Sequence, residues 1–220
     1  MFLKKTPSIL AQISWSVLFL LIVAGCGGST KVKKSGFLGD YSQFKSSPQD
    51  EEALLYVHPT KTIADYDKLM FDHPIVYFHP DAKGKGINPE KLKELTDFWL
   101  DEAVKAVEGA YEVVEKPGPG VLRVRAAITE VNTSDPKKNI VTQYVVKMSV
   151  DVGGASMEAE LVDSQTGERI VGYMASRKGR AFVNYKNLIT QYGDTKGALK
   201  YWAQNLRERL DEMHGKTEEK

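Results

Sequence analysis

The chain has 220 residues, with 30 basic and 29 acidic side chains and one cysteine. This near-neutral balance argues against a nucleic-acid-binding protein, because such proteins show a strongly basic face. One cysteine excludes an intramolecular disulfide, so the fold must rest on its apolar core, and the length suits one domain with a tail.

The first 25 residues have the pattern of an export signal. Lys4 and Lys5 precede a mostly apolar run from 9 to 23. A membrane-spanning helix needs about 20 apolar residues, whereas the apolar part of a secretory signal needs about 7–15. The run therefore predicts a signal peptide, residues 1–25, that is removed from the mature protein.

The residues at the end of this run predict a lipid anchor. Val23, Ala24 and Gly25 stand directly before Cys26. This order resembles the lipobox of bacterial lipoproteins, in which cleavage between Gly25 and Cys26 makes the cysteine the first residue. The resemblance implies diacylglycerol on the Cys26 sulfur and a third acyl chain, such as palmitate, on its amine. Two or more chains anchor a protein stably where one does not.

Two further points bear on this anchor. The alternatives to a lipobox are an ordinary signal, or an uncleaved anchor with an incidental cysteine. Gly27 follows Cys26 and is not acidic. By resemblance to the sorting rule of enteric bacteria, this residue favours the outer membrane over the inner one.

Residues 26–52 are predicted to form a lipid-anchored tether and docking segment. Glycine, serine, threonine and lysine follow Cys26, and Phe37, Leu38 and Tyr41 then interrupt this polar composition. These three side chains are too apolar for a spacer. We therefore expect them to dock on the folded domain or on a partner.

Residues 53–215 are predicted to form a single domain, followed by a charged tail at 216–220. Helices are expected after Asn88, with Pro89 at the first helical position, and after Asp194 as the N-cap of a helix that ends at Gly215. Alternation and β-branched residues mark candidate strands at 54–57, 69–78 (broken by Pro74), 111–115, 121–131, 140–152, 157–161 and 170–175.

These elements predict an α+β fold. Each helix has one apolar stripe, and the strand at 121–131 has one apolar and one charged face. A two-layer sandwich satisfies both patterns, with two amphipathic helices on one face of a mixed or antiparallel sheet of five or six strands. On the other face, Arg123 and Arg125 would meet Glu158 and Glu160. That charged face is either solvated or a binding surface for a charged partner.

Several motifs resemble those of one protein family, and they lie at 36–42, 66–68, 117–120 with 122–123, 157–168 and 202–203. On these motifs the chain resembles bacterial lipoproteins of the domain of unknown function 3313 family over nearly the whole mature sequence. That family has no established reaction or ligand, so the resemblance implies no functional residue. The lipidation of Cys26 is implied by the resemblance to lipoproteins in general.

The sequence contains no assembled catalytic motif. His58, His73 and His79 each precede a proline, but their spacing matches no standard metal-ligand pattern, so no metal or cofactor is predicted. Glu158 and Glu160 have the residue type of a glycosidase acid pair. The arginines expected beside them disfavour an acid role.

The sequence therefore predicts a non-enzymatic envelope lipoprotein at the outer membrane, facing the periplasm. Membrane lipid would bind through Cys26, the partner would be an envelope protein or peptidoglycan, and nucleic acid is excluded. The alternative is a ligand-binding or hydrolytic periplasmic domain that uses the region of His58, His73 and His79 or the face of Glu158 and Glu160. The candidate partner-binding residues are Phe37, Leu38, Tyr41, Arg123, Arg125, Glu158 and Glu160.

Overall fold

The computed structural model describes residues 32–50, 52–134, 153–178 and 190–216. The predicted signal peptide, Cys26 and the predicted strand at 140–152 lie outside the described residues. Within the described ranges, neither helix combines the length and the apolar character that crossing a bilayer requires.

One mixed sheet of eight strands runs through the described residues. Its spatial order is β1-β2-β8-β7-β6-β3-β5, and β4 pairs separately with β6. Strands β3, β4 and β5 pair in parallel, whereas the others pair antiparallel. The strands are β1 (Lys45–Ser46), β2 (Ala53–Val57), β3 (Lys68–Phe71), β4 (Ile75–Val76), β5 (Glu112–Val113), β6 (Val121–Asn132), β7 (Gly154–Asp163) and β8 (Arg169–Lys178).

The predicted count of five or six strands was too low. Pro74 cannot donate to a strand ladder, so the candidate strand at 69–78 is divided into β3 and β4, which both pair with β6. Strand β1 has only two residues, and a strand that short leaves no alternation to detect. The prediction of an α+β chain with a mixed sheet and two helices is confirmed.

The described ranges contain the α-helices α1 (Pro89–Val107) and α2 (Gly193–Met213) and the one-turn 3-10 helices Ile63–Asp65 and Lys83–Gly86. Helix α1 begins as predicted, because the Asn88 side chain accepts a hydrogen bond from the Glu90 N–H at 2.8 Å. The predicted N-cap role of Asp194 was wrong. Asp194 lies inside the first turn of α2 and accepts from the Gly153 N–H at 3.0 Å, so it connects the helix to the start of β7.

The apolar core lies between the helices and one face of the sheet. Leu122, Val124 and Ile128 alternate along β6 and join Trp99 of α1 and Leu199 of α2 in one buried cluster. Each fully buried side chain of this size stabilises the fold by about 1.5–3 kcal/mol. Because successive side chains of a strand point to opposite faces, the intervening side chains of β6, and likewise those of β7, point to the opposite face of the sheet.

The turn between β7 and β8 is held by Asp163. Its carboxylate accepts hydrogen bonds from the backbone N–H groups of Gln165 at 2.9 Å and Thr166 at 2.8 Å, and from the Tyr66 hydroxyl at 3.0 Å. The hydrogen bond from the Thr166 backbone is the largest cause that lowers the pKa of Asp163 below its usual value. Gly167 completes the turn with a φ of 73°.

We expect Asp163→Asn to lower the free energy of unfolding by about 1–2 kcal/mol at pH 7, because charged acceptors bind N–H groups more strongly than amides do. Since the folded state lowers the Asp163 pKa, its contribution is present above the unfolded pKa and is lost as the pH falls through the folded value. Urea unfolding at pH 7 and at about pH 3 measures both effects. Asp101→Asn, at an exposed position of α1, is the control. A difference from wild type that stays constant with pH contradicts the prediction.

Candidate functional site

The candidate site lies on the polar face, which we define as the face of the sheet opposite the helices. Met157, Ala159 and Leu161 of β7 belong to the helix-side core, so the intervening Glu158 and Glu160 occupy the polar face. In the antiparallel register, Glu160 lies opposite Arg125 of β6. Of the predicted arginine–glutamate contacts on this face, the one between Arg125 and Glu160 is observed, whereas Arg123 and Glu158 have other partners.

The polar face is covered by residues 35–44. These residues are part of the range 26–52 that was predicted as tether and docking segment, and we use the name docking segment for residues 35–44 alone from here on. Glu158 has 0% of its surface exposed. Its carboxylate accepts hydrogen bonds from the Ser35 N–H at 2.6 Å, the Leu38 N–H at 3.3 Å and the Tyr41 hydroxyl at 2.7 Å. A buried carboxylate needs such donors because an unpaired buried charge is costly. Glu158 is thus the point where the segment attaches to the sheet.

Tyr41 organises the turn within the docking segment. Its hydroxyl accepts from the Gly36 N–H at 2.8 Å and the Leu38 N–H at 3.2 Å while it donates to Glu158. Burial and the contact with Glu158 raise the pKa of Tyr41, which keeps the donated proton in place. Gly36 has a φ of 104°, a backbone conformation that favours glycine and closes this turn.

Glu160 holds the same segment through an arginine. It is 4% exposed and accepts from Arg125 at 2.5 Å and from the Arg169 Nε at 2.6 Å. The Arg169 guanidinium also donates to the backbone carbonyl groups of Leu38 and Asp40. Glu158 therefore accepts hydrogen bonds from N–H groups of the docking segment. Glu160 orients Arg169, which donates hydrogen bonds to C=O groups of the same segment.

Arg123 does not pair with a glutamate. Its Nε donates to Asp72 at 2.7 Å, and this hydrogen bond is the largest cause that raises the Arg123 pKa. The Arg125 Nε lies 3.8 Å from the same aspartate, and its guanidinium lies 5.7 Å from the centre of the Phe37 ring. The sequence analysis missed Asp72 as an ion-pair partner, because the residue follows β3 and only the parallel pairing with β6 brings it near.

The other end of the docking segment is fixed by Phe44, which the sequence analysis did not identify. A Cβ atom built on Gly172 of β8 would lie 2.4 Å from the Phe44 ring, so the ring occupies the space that a side chain would need. The Phe44 and Tyr56 rings are also 6.0 Å apart. Gly172 is an isolated glycine within a strand pattern, and such a glycine indicates in a sequence that another group packs closely against the strand.

The three histidines before prolines do not form one cluster. Within the described parts of the chain, no group of three or more His, Cys, Asp or Glu residues has the geometry of a metal site. Each histidine has its own acidic neighbour: His58 lies 3.0 Å from Glu168, His73 lies 2.8 Å from Asp97, and His79 lies 3.6 Å from Glu130.

Comparison with known proteins identifies the family. Residues 33–206 match the model described as protein of unknown function (DUF3313). The chain belongs to this family. A relative, the uncharacterized lipoprotein YdcL of Escherichia coli K12, is 26% identical over 196 residues, which cover 77% of this chain and 87% of YdcL. The prediction of a bacterial lipoprotein of this family is confirmed.

Two other similarities are weaker in what they imply. The tyrosine–tRNA ligase of Thermotoga maritima is 30% identical over 168 residues, but the match covers 71% of this chain and only 39% of the ligase. The PelC dodecamer from Paraburkholderia phytofirmans is 10% identical, with 70% of this chain and 96% of PelC covered and a TM-score of 0.42.

We expect Glu158→Gln to release the docking segment while the helix-side core stays folded. The amide offers one acceptor oxygen to three donors, so the free energy of unfolding should fall by about 1.5–3 kcal/mol. Hydrogen–deuterium exchange of residues 35–41 should accelerate, whereas exchange in α1 should not change. Glu115→Gln, at an exposed position after β5, is the matched control. Unchanged exchange at 35–41 would show that Glu158 does not hold the segment.

Proposed function

We propose that this chain is a non-enzymatic accessory lipoprotein of the bacterial outer membrane. The acylated Cys26 holds the protein to the periplasmic leaflet. The folded domain faces the periplasm and binds another envelope component, either a protein or peptidoglycan. The lipobox order before Cys26, the non-acidic Gly27 and the similarity to the lipoprotein YdcL support this proposal.

The observation that carries the proposal is the attachment of the docking segment to buried Glu158. The contact with Ser35 comes nine residues after Cys26. Nine extended residues reach at most about 30 Å. Because Glu158 and Arg169 fix the segment to the sheet, the domain cannot move further than this from the lipid anchor. A protein that works beside the membrane has use for such a short connection.

The hydrogen bonds of the two glutamates support a role without catalysis. One oxygen of Glu158 accepts from Ser35 and the other from Leu38 and Tyr41. The two oxygens of Glu160 accept from Arg125 and Arg169. An acid or nucleophile of a glycosidase must reach a substrate oxygen or carbon. Here all four oxygens already accept hydrogen bonds from the protein itself, so the pair serves the structure.

An exposed surface beside the docking segment supports the partner contact. We define the tether-side patch as Phe37, Ile75 and Tyr77. Ile75 is 47% exposed, Tyr77 is 45% exposed, and the rings of Phe37 and Tyr77 are 6.3 Å apart. Exposed aromatic and aliphatic side chains that cluster in this way are typical of interaction sites.

The contacts and the exposure of the candidate partner-binding residues divide them into two groups. Arg123 and Arg125 keep side-chain exposures of 40% and 42%, and the Arg125 guanidinium lies 5.7 Å from the centre of the Phe37 ring of the tether-side patch. We therefore propose that Phe37 and these two arginines contact the partner. The remaining candidates hold the docking segment in place, and they are Leu38, Tyr41, Glu158 and Glu160.

A photo-crosslinking experiment in intact cells tests the proposal. We expect p-benzoylphenylalanine at position 75 to form adducts with an envelope protein or with peptidoglycan. The control places the same group at position 113, which is 43% exposed on the edge strand β5 and away from the patch. Cys26→Ser should lower the adduct yield about tenfold or more, because the anchor supplies the effective concentration.

Two results would overturn the proposal. One is recovery from position 75 of only the protein itself and bulk lipid, with a yield equal to that from position 113. The other is mass spectrometry of the mature protein that finds an amino terminus without acyl chains.

A further inference from the structure

A cavity lies on the helix side of the sheet, away from the docking segment. Its volume is about 80 Å³, and nearly all of its lining is apolar. Trp99 of α1 and Trp202 of α2 contribute to the wall, together with Met157 and Ala159 of β7. Ala159 stays partly accessible although β7 is the central strand of the sheet. The small side chain at this position leaves the space open.

Both tryptophans of the cavity carry an unused hydrogen-bond donor. Trp99 and Trp202 are each only 3% exposed, and neither indole Nε1 has a hydrogen-bond partner among the described residues. Buried donors in native proteins nearly always find an acceptor. Both residues lie on the buried faces of their helices, but core packing alone does not account for two unpaired N–H groups on residues that line one cavity.

The cavity is lined by charged residues of both signs, but the acidic one is already paired. Glu160 belongs to the lining, and its carboxylate accepts hydrogen bonds from Arg125 and Arg169. Arg209 of α2 also lines the cavity, keeps 22% of its side chain exposed, and pairs with Glu212 at 3.1 Å. Asn205, one turn before Arg209, lines the cavity as well, and so do Ser47 and Tyr173. An arginine that is partly in solvent and partly at an apolar cavity suits the carboxylate or phosphate of an amphipathic molecule.

We propose that this cavity binds an acyl chain that carries an oxygen acceptor close to its apolar part. The apolar wall takes the chain, the indole N–H groups donate to its carbonyl or ester oxygen, and Arg209 meets its charged group. The resting cavity has about half the volume of one that accepts benzene, so it holds a few methylene groups. Met157 and Met213 line it, and the flexible methionine side chain lets such a site widen.

Two sources can supply this chemistry, namely a free fatty acid and a membrane phospholipid. The cavity lies on the opposite side of the sheet from Glu158 and the tether-side patch. The proposal is therefore independent of the partner contact proposed above, and the two can fail separately.

The test uses the full chain in phosphatidylcholine vesicles with two photoreactive probes. One is dodecanoic acid with a diazirine in its chain, and the other is phosphatidylcholine that carries the same diazirine chain. We expect adducts on the peptides that contain Met157 and Leu206, which an excess of the same lipid without the diazirine prevents. Labelling by the free acid alone, by the phospholipid alone or by both supports the proposal and names the source.

Ala159→Leu should fill the cavity and lower labelling about tenfold, because it excludes about two methylene groups of the ligand. The matched control is Ala64→Leu, at an exposed position in the one-turn helix Ile63–Asp65. Trp202→Phe keeps an aromatic ring but removes one N–H donor, so it should weaken labelling several-fold. Circular dichroism melting establishes that each variant is folded.

The proposal is overturned if neither probe labels the cavity peptides, or if folded Ala159→Leu labels as wild type does. If Ala159→Leu does not fold, two other results decide: the comparison of wild type with Trp202→Phe, and the competition by the same lipid without the diazirine. Equal labelling of Trp202→Phe and wild type would overturn the role of the indole donor. Failure of the unlabelled lipid to compete with its own probe would overturn specific binding.

Discussion

The buried carboxylate of Glu158 is the interaction on which the arrangement of this protein depends. It accepts hydrogen bonds from Ser35, Leu38 and Tyr41, and it has no exposed surface. A carboxylate in the middle of a sheet is tolerated only when donors replace its water. The docking segment supplies those donors, so the segment and the sheet stabilise each other. The cover over the polar face and the short connection to Cys26 both follow from this contact.

Strand β7 serves two different purposes with alternate residues. Met157, Ala159 and Leu161 face the helices, where they form the core and part of the apolar cavity. Glu158 and Glu160 face the other way and hold the docking segment, the first directly and the second through Arg169. A register shift of one residue would exchange the two sets and disrupt both sides of the sheet.

This separation of faces also separates the two proposed interactions. The docking segment and the tether-side patch lie on the polar face, and this is the face for which we propose contact with an envelope partner. The cavity for which we propose an acyl chain lies on the helix side, where Trp99, Trp202 and Arg209 line an apolar space. A lipoprotein that is held within about 30 Å of its anchor would have lipid within reach of that cavity.

The sequence alone was sufficient for the features that local patterns encode. The apolar periodicity located both helices, the Asn88 cap and Pro89 marked the start of α1, and the motifs around 157–168 indicated the family. The number of strands was underestimated. Asp194 was predicted to cap its helix, but its carboxylate accepts a hydrogen bond from the Gly153 N–H instead. The lipid anchor at Cys26 stays a prediction from the lipobox order.

Only the tertiary structure decided which residues form hydrogen bonds with the charged side chains of the polar face. Glu158 and its donor Leu38 are 120 positions apart, and Arg123 and Asp72 are 51 apart. Local periodicity states that a side chain is polar and which face of its strand it occupies, but not which distant segment will cover it. That choice depends on strand order and register, because a buried charge is paired by whatever the folded chain brings within hydrogen-bonding distance.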